Sequence, residues 1–211
     1  MVTVAGMAEI IVFGAGGRAG RTIAAAAVAR GHSVTGVVRD PGRYPDLDVV
    51  AGDVTDAAAV ARLAAGHDVA VHAAVDLTDP DFFATAAAAL ATALPDAGVA
   101  RLLAVGLASN LPTADGVLLR DTPGYPNEYR AFYLGHAAGT DRLRETALEW
   151  TVLAPAGDFD HTGEPIGGYR SAAADADLRI TYPDFAHAVL DEIEKPGLGR
   201  TYTGVTGTIA V

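Results

Sequence analysis

The sequence predicts an α/β fold, a doubly wound parallel sheet covered by helices on both faces. Three observations carry this. An apolar run, Ile10-Ile11-Val12-Phe13, breaks into a glycine-rich turn and then into an alanine-rich helical stretch. Compact apolar runs and helical stretches then alternate along the chain, the pattern of βαβ units. The strand candidates are also continuously apolar rather than alternating, as expected where both faces of a parallel sheet are buried.

Taken in order, the first unit is the strand ending at Phe13, the turn Gly14 to Gly20, and a helix from Arg18 to Arg30 stopped by Gly31. Further strands are expected at 34–38, 48–50, 69–73, 102–105 and 151–153, and helices at 57–65, 81–94, 128–147 and 183–194. Two stretches lack periodicity, 106–127 and 154–178, and both are rich in Gly, Pro, Asp and Thr. Each follows a predicted strand. Ligands of such sheets lie beyond the strands' carboxyl ends, so these loops should form a small substrate-side region. Residues 1–211 read as one domain of Rossmann type, with 1–7 as a frayed extension.

Composition excludes several functions. Half the residues are apolar, 19% are charged, and the net charge is −11, which opposes a polyanion-binding surface and hence nucleic acid. There is no cysteine, so thiolate catalysis, disulfides and Cys-ligated metals are absent, in keeping with a reducing cytoplasm. Residues 1–6 carry no basic n-region, and no apolar run approaches the roughly 18 residues of a membrane span.

The segment Gly14-Ala15-Gly16-Gly17-Arg18-Ala19-Gly20 fits GxxGxxG, directly after a strand and opening a helix. Glycines there allow tight torsions and close phosphate approach, and the helix amino terminus offers free N–H groups and positive potential, as a dinucleotide pyrophosphate needs. A packing turn of another α/β fold would also use glycine, but the strand and helix on either side favour the nucleotide. The second strand ends in Arg39 where NAD-preferring proteins present a carboxylate, so NADP(H) is preferred, with Arg18 assisting. Asp40 keeps NAD(H) open. Asp53 and Val54 are placed at the adenine edge, Asp53 being equally a cap for the helix near Asp56. Ala73 and Ala74 are small where the ribose or nicotinamide passes the backbone. His72 reads as a packed histidine.

These features, with Val38-Arg39-Asp40-Pro41, Gly52-Asp53-Val54, the run from Leu103 to Ser109, Asp121-Thr122-Pro123, Glu149-Trp150-Thr151-Val152-Leu153-Ala154-Pro155 and Asp184-Phe185-Ala186, resemble the atypical short-chain dehydrogenase/reductases. Within them the chain is most similar to the NmrA-like and NADH-flavin-reductase-like NAD(P)-binding proteins. The resemblance covers most of the chain and implies the same fold, a nicotinamide cofactor in contact with residues up to Pro155, and either flavin or quinone reduction or NADP(H) sensing.

The sequence departs from standard short-chain dehydrogenases, which pair a tyrosine with lysine four residues later. Lys195 is the only lysine, so no tyrosine has that partner. A tyrosine with a pKa near about 10 is a poor acid or base at neutral pH, which disfavours ordinary alcohol oxidation. Hydride transfer to a quinone or flavin-like aromatic acceptor needs positioning more than a strong acid. Ser109, Tyr129 and Tyr133 are the catalytic candidates, and Asn110 and His161 the substrate-binding ones. Each has a structural alternative: Ser109 as a turn cap, Tyr129 and Tyr133 as a packing stripe with Phe132. The loop 162–169, with Gly163, Gly167 and Gly168, reads as a lid. His161 with Asp158, Asp160 and Glu164 is a poor metal set, so no metal is expected. The expected partner is a small aromatic molecule, and the chain is a monomer or homodimer. The alternatives are an epimerase, dehydratase or ketoreductase with a non-standard acid, and a non-catalytic NADP(H)-responsive regulator.

Overall fold

The computed structural model describes residues 6–126 and 128–208; position 127 of the first predicted loop and most of the extension 1–7 lie outside these. Ten strands and five α-helices follow in chain order: β1 (Glu9–Phe13), α1 (Arg18–Ala29), β2 (Ser33–Val38), β3 (Val49–Ala51), α2 (Ala57–Ala64), β4 (Val69–His72), α3 (Phe82–Asp96), β5 (Arg101–Val105), α4 (Arg130–Arg144), β6 (Glu149–Pro155), β7 (Asp158–Asp160), β8 (Tyr169–Ser171), β9 (Arg179–Thr181), α5 (Tyr182–Glu194) and β10 (Thr201–Gly207).

Eight strands form the main sheet in the order β3-β2-β1-β4-β5-β6-β10-β8, every neighbouring pair parallel except β10 with β8. The strand order reverses between β1 and β4, which places a switch point, and a ligand crevice, at their carboxyl ends. This is the Rossmann-type fold that the alternating pattern predicts. Strand residues alternate between two apolar layers. Ile11, Ala70 and Leu102 pack with α2, α3 and α4, while Ile10, Val12 and Val69 pack with α1 and α5.

The structure adds four strands. β7 and β9 pair as a separate two-stranded sheet, and β8 and β10 extend the main sheet, so part of the predicted loop 154–178 is ordered as strand. β7 to β9 are three residues long and carry one apolar or aromatic residue each, whereas the equally short β3 is wholly apolar, so only β3 is marked by its hydrophobic run. The glycine-rich loop 162–169 is tied to the start of α5. Asp184, fully buried, accepts hydrogen bonds from the N–H groups of Ile166 (3.0 Å) and Gly167 (2.8 Å) and from Thr181 Oγ1 (2.7 Å). The Asp184 N–H donates back to Thr181 Oγ1, so the α5 cap and the loop share one buried carboxylate.

α4 crosses α3 closely because Gly135 and Gly139 face the backbone of Pro80 and Phe83, where a Cβ would come within 2.8 Å of a carbonyl. That crossing encloses two imidazoles. His72 ends β4 with Nδ1 unpartnered among the described residues, and His136 stacks on Phe83 with ring centroids 3.6 Å apart. Burial pushes His72 from 6.5 down to about 4. Burial, and then the neighbouring His72, push His136 down to about 3. The unfolded chain takes up these protons near pH 6.5 and the folded chain does not until far lower. Stability is therefore fully present above about pH 6.5 and falls as the pH drops from there toward 4. Urea unfolding between pH 7.5 and 4.5 should show this loss, and His136→Phe should make the slope shallower.

Candidate active site

At the switch point, Gly14 has φ +88°, and a Cβ on it would overlap the backbone of Ala73 and Ala74. A Cβ on Gly20 would overlap the Gly14 carbonyl, and one on Gly16 the ring of Tyr44. Gly17 is different: a Cβ there would meet nothing nearer than the Gly14 oxygen at 3.5 Å. Among the described residues nothing fills the space beside Gly17, at the amino terminus of α1. The turn is tied down by Gly14 N–H donating to the Val37 carbonyl (2.9 Å) and Gly17 N–H to the Gly14 carbonyl (3.0 Å). Gly17 caps α1 with no side-chain hydrogen bond and no acidic residue follows in the first turn, leaving the N–H groups of Arg18, Ala19 and Gly20 for an anion. Ala15 is buried and packs toward Gly36.

The cleft beside this turn, about 160 Å³, is lined by Gly14, Gly16, Gly17, Arg39, Arg43, Tyr44, Asp53, Val54, Ala73, Ala74 and Phe82 among others. The uncapped start of α1 gives this cleft an anion-binding wall. Asp53 accepts from Thr55 N–H (2.9 Å) and Oγ1 (2.7 Å), while Asp56 is the residue that caps α2. That separates the two roles left open for Asp53. Asp40 accepts from Gly42 N–H at 3.0 Å and caps the following 3-10 turn. Arg43, Tyr44 and Phe82 were not singled out from the sequence. Tyr44 reaches the turn only because β2 and its 3-10 turn lie beside β1, a placement no local pattern reveals.

A second cavity, about 530 Å³, opens at the carboxyl ends of β5 and β6. Ser109, Tyr125, Tyr129, Tyr133, Pro155, Phe159 and Arg179 are among its lining residues. The Ser109 hydroxyl is buried in the cavity wall and has no partner among the described residues. Tyr129 is 60% exposed at the rim. Tyr133 lies 5.6 Å from Tyr125 between ring centroids. Burial raises both phenols, Tyr125 to about 12, so neither is an acid at neutral pH. Phe132 turns the other way, against Phe83 and His136, so the expected three-residue stripe splits between cavity and core.

The structure places three further predicted site residues. Pro155 lines the second cavity. Asn110 donates from Nδ2 to the Tyr133 carbonyl (3.1 Å) and accepts from Arg120, tying the loop after β5 to α4. His161 lies against the glycine turn, with Nδ1 2.7 Å from Arg18 Nη1 and 3.2 Å from Tyr182 Oη. Tyr182 in turn stacks on Phe159, ring centroids 4.3 Å apart, so a chain of contacts joins the two clefts.

A family model described as NAD(P)H-binding matches residues 14–196. The chain belongs to this family. The uncharacterized protein YwnB of Bacillus subtilis is 34% identical over 198 residues, covering 89% of this chain and 93% of its own. A 3-diazoavenalumate denitrifying reductase from Streptomyces is 37% identical over 133 residues, covering 56% of this chain and 44% of that protein. Among solved structures, a candidate NADH-flavin reductase from Streptococcus pneumoniae has a TM-score of 0.82 at 26% identity, over 95% of this chain and 100% of its own. The family and that neighbour bear out the NmrA-like resemblance and assign a nicotinamide cofactor. Among the described residues no helix is long and apolar enough to cross a membrane.

Ser109 is held by a loop that depends on Tyr202. Its hydroxyl donates to the Leu107 carbonyl (2.8 Å) and accepts from the Leu107 N–H (2.6 Å) inside the core. Tyr202→Phe leaves both backbone groups without this partner and should cost about 1–3 kcal/mol, read as a lower urea midpoint.

Proposed function

We propose that the chain is an NADPH-dependent reductase that delivers hydride to a quinone or flavin-like aromatic acceptor, working as one NAD(P)-binding domain over residues 1–211 in the cytoplasm, as a monomer or homodimer. The observation that carries this reading is the cavity at the carboxyl ends of β5 and β6, lined by Tyr125, Tyr129, Tyr133 and Pro155, with Ser109 in its wall and the Ser109 hydroxyl without a partner among the described residues. A flavin-reductase neighbour and a relative named as a reductase support it.

Gly14, Ala15, Gly16, Gly17, Arg18, Ala19 and Gly20 hold the pyrophosphate through backbone N–H groups, and Arg39 meets the 2′-phosphate. Asp53 and Val54 border the adenine, and Ala73 and Ala74 leave room for the ribose. When bound, the reduced nicotinamide supplies the hydride. Ser109 donates a hydrogen bond to the acceptor oxygen as negative charge develops there, in a site shielded from water. Tyr129 and Tyr133 offer ring faces that orient a planar acceptor, with Pro155 closing the inner wall. Asn110 holds Tyr133 in place. His161 closes over the glycine turn through Arg18.

The chemistry follows from what the tyrosines lack. With Tyr125 and Tyr133 raised and no lysine beside them, a reaction that needs a strong acid is poorly served, whereas an electron-poor acceptor delocalises the incoming charge. The test is loss of reduced-nicotinamide absorbance when purified protein is mixed with NADPH and panels of quinones, FMN and ketones. Oxidation with quinone or flavin above the protein-free rate supports the reading, and Ser109→Ala should then lower kcat by roughly 10- to 100-fold with little change in NADPH affinity. Saturable NADPH binding without turnover would instead favour the regulator.

A further inference from the structure

Arg39 is already engaged. Its Nη1 lies 2.7 Å from Asp76 Oδ2. Asp76 is the rigid member of this pair, because its other oxygen accepts from Thr78 N–H (2.9 Å) and Thr78 Oγ1 (2.6 Å) and its side chain is 15% exposed against 57% for Arg39. Both the Thr78 donors and then Arg39 hold the carboxyl well below the usual carboxylate range, so it is charged at any working pH. Arg39 follows β2 and Asp76 follows β4, with β1 between them in the sheet. The ion pair therefore bridges the mouth of the nucleotide cleft above the Gly14 turn.

We propose that Asp76 is a selectivity residue of this cleft: its fixed carboxylate competes with a nucleotide 2′-phosphate for the Arg39 guanidinium and so holds down the preference for NADPH over NADH. The inference rests on the reading that the cleft takes a nicotinamide dinucleotide. A carboxylate and a 2′-phosphate are both anions that a guanidinium binds through parallel N–H groups, so they are alternatives at the same donor. A 2′-phosphate arriving at Arg39 must either displace Asp76, which Thr78 restrains, or share the guanidinium with a like charge nearby. NADH, with a neutral 2′-hydroxyl, meets no such penalty. Asp53 adds a further negative charge near Arg39, while Arg43 lines the same cleft and makes no side-chain ion pair among the described residues.

Asp76→Asn keeps the shape and the Thr78 contacts while removing the charge. Titration calorimetry with NADPH and NADH on wild type, Asp76→Asn, Arg39→Gln and the double variant tests the competition. Asp76→Asn should tighten NADPH binding on the order of tenfold and leave NADH within about twofold. In the Arg39→Gln background the same change should have no further selective effect, because the group competed for is gone. An equal effect on both nucleotides, a selective weakening of NADPH, or an undiminished effect without Arg39 overturns the proposal. Failure of wild type to bind either nucleotide overturns the cofactor reading beneath it, and is distinguishable because it needs no variant.

Discussion

The site depends on one steric constraint, the approach of the Gly14 turn to the backbone of Ala73 and Ala74. β1 and β4 are neighbours, and the chain leaving β1 must turn sharply enough to start α1 within a few residues. It passes so close to β4 that no side chain fits, with a φ of +88° that only glycine adopts without strain. Gly20 completes the fit by letting α1 sit on the turn it emerges from. The uncapped start of α1, the crevice beside it and the facing end of β2 all inherit their positions from that contact. Asp184 makes a second, independent anchor, fastening the segment over the glycine turn to the start of α5.

What the clefts can do follows from their contents rather than from the fold, which supports many chemistries. The nucleotide side has two arginines and an open helix terminus, the second cavity Ser109 with Tyr125 and Tyr133, whose phenols burial raises. Neither tyrosine is a strong acid. The stacked Phe159 and Tyr182, with His161 reaching Arg18, give the two sides a physical connection.

Most of the nucleotide cleft was legible in the sequence because its determinants are local. Glycines after an apolar run, and Arg39 at the end of the next one, carry their meaning within about thirty residues. The second cavity was less legible. Asn110 lies beside Ser109 in sequence, yet its amide turns toward Tyr133 and Arg120 while Ser109 lines the cavity. His161 meets Arg18, 143 residues earlier, and Tyr182, contacts that no local pattern reveals. Tyr44 over Gly16 and Asp76 on Arg39 arise from the order of strands in the sheet. The strands β7 to β9 carry one apolar or aromatic residue each, and Tyr202 of β10 gains its role from a loop 95 residues away.

Whether the Gly14 turn creates the cofactor cleft is measured most directly by comparing NADPH binding by wild type and Gly14→Ala in calorimetry, with thermal unfolding recorded on both. Wild type should bind saturably, and the variant should lose at least about tenfold at temperatures where it remains folded. NADPH binding of equal strength in a folded Gly14→Ala protein, or no binding by wild type, would show that the turn does not make the cleft.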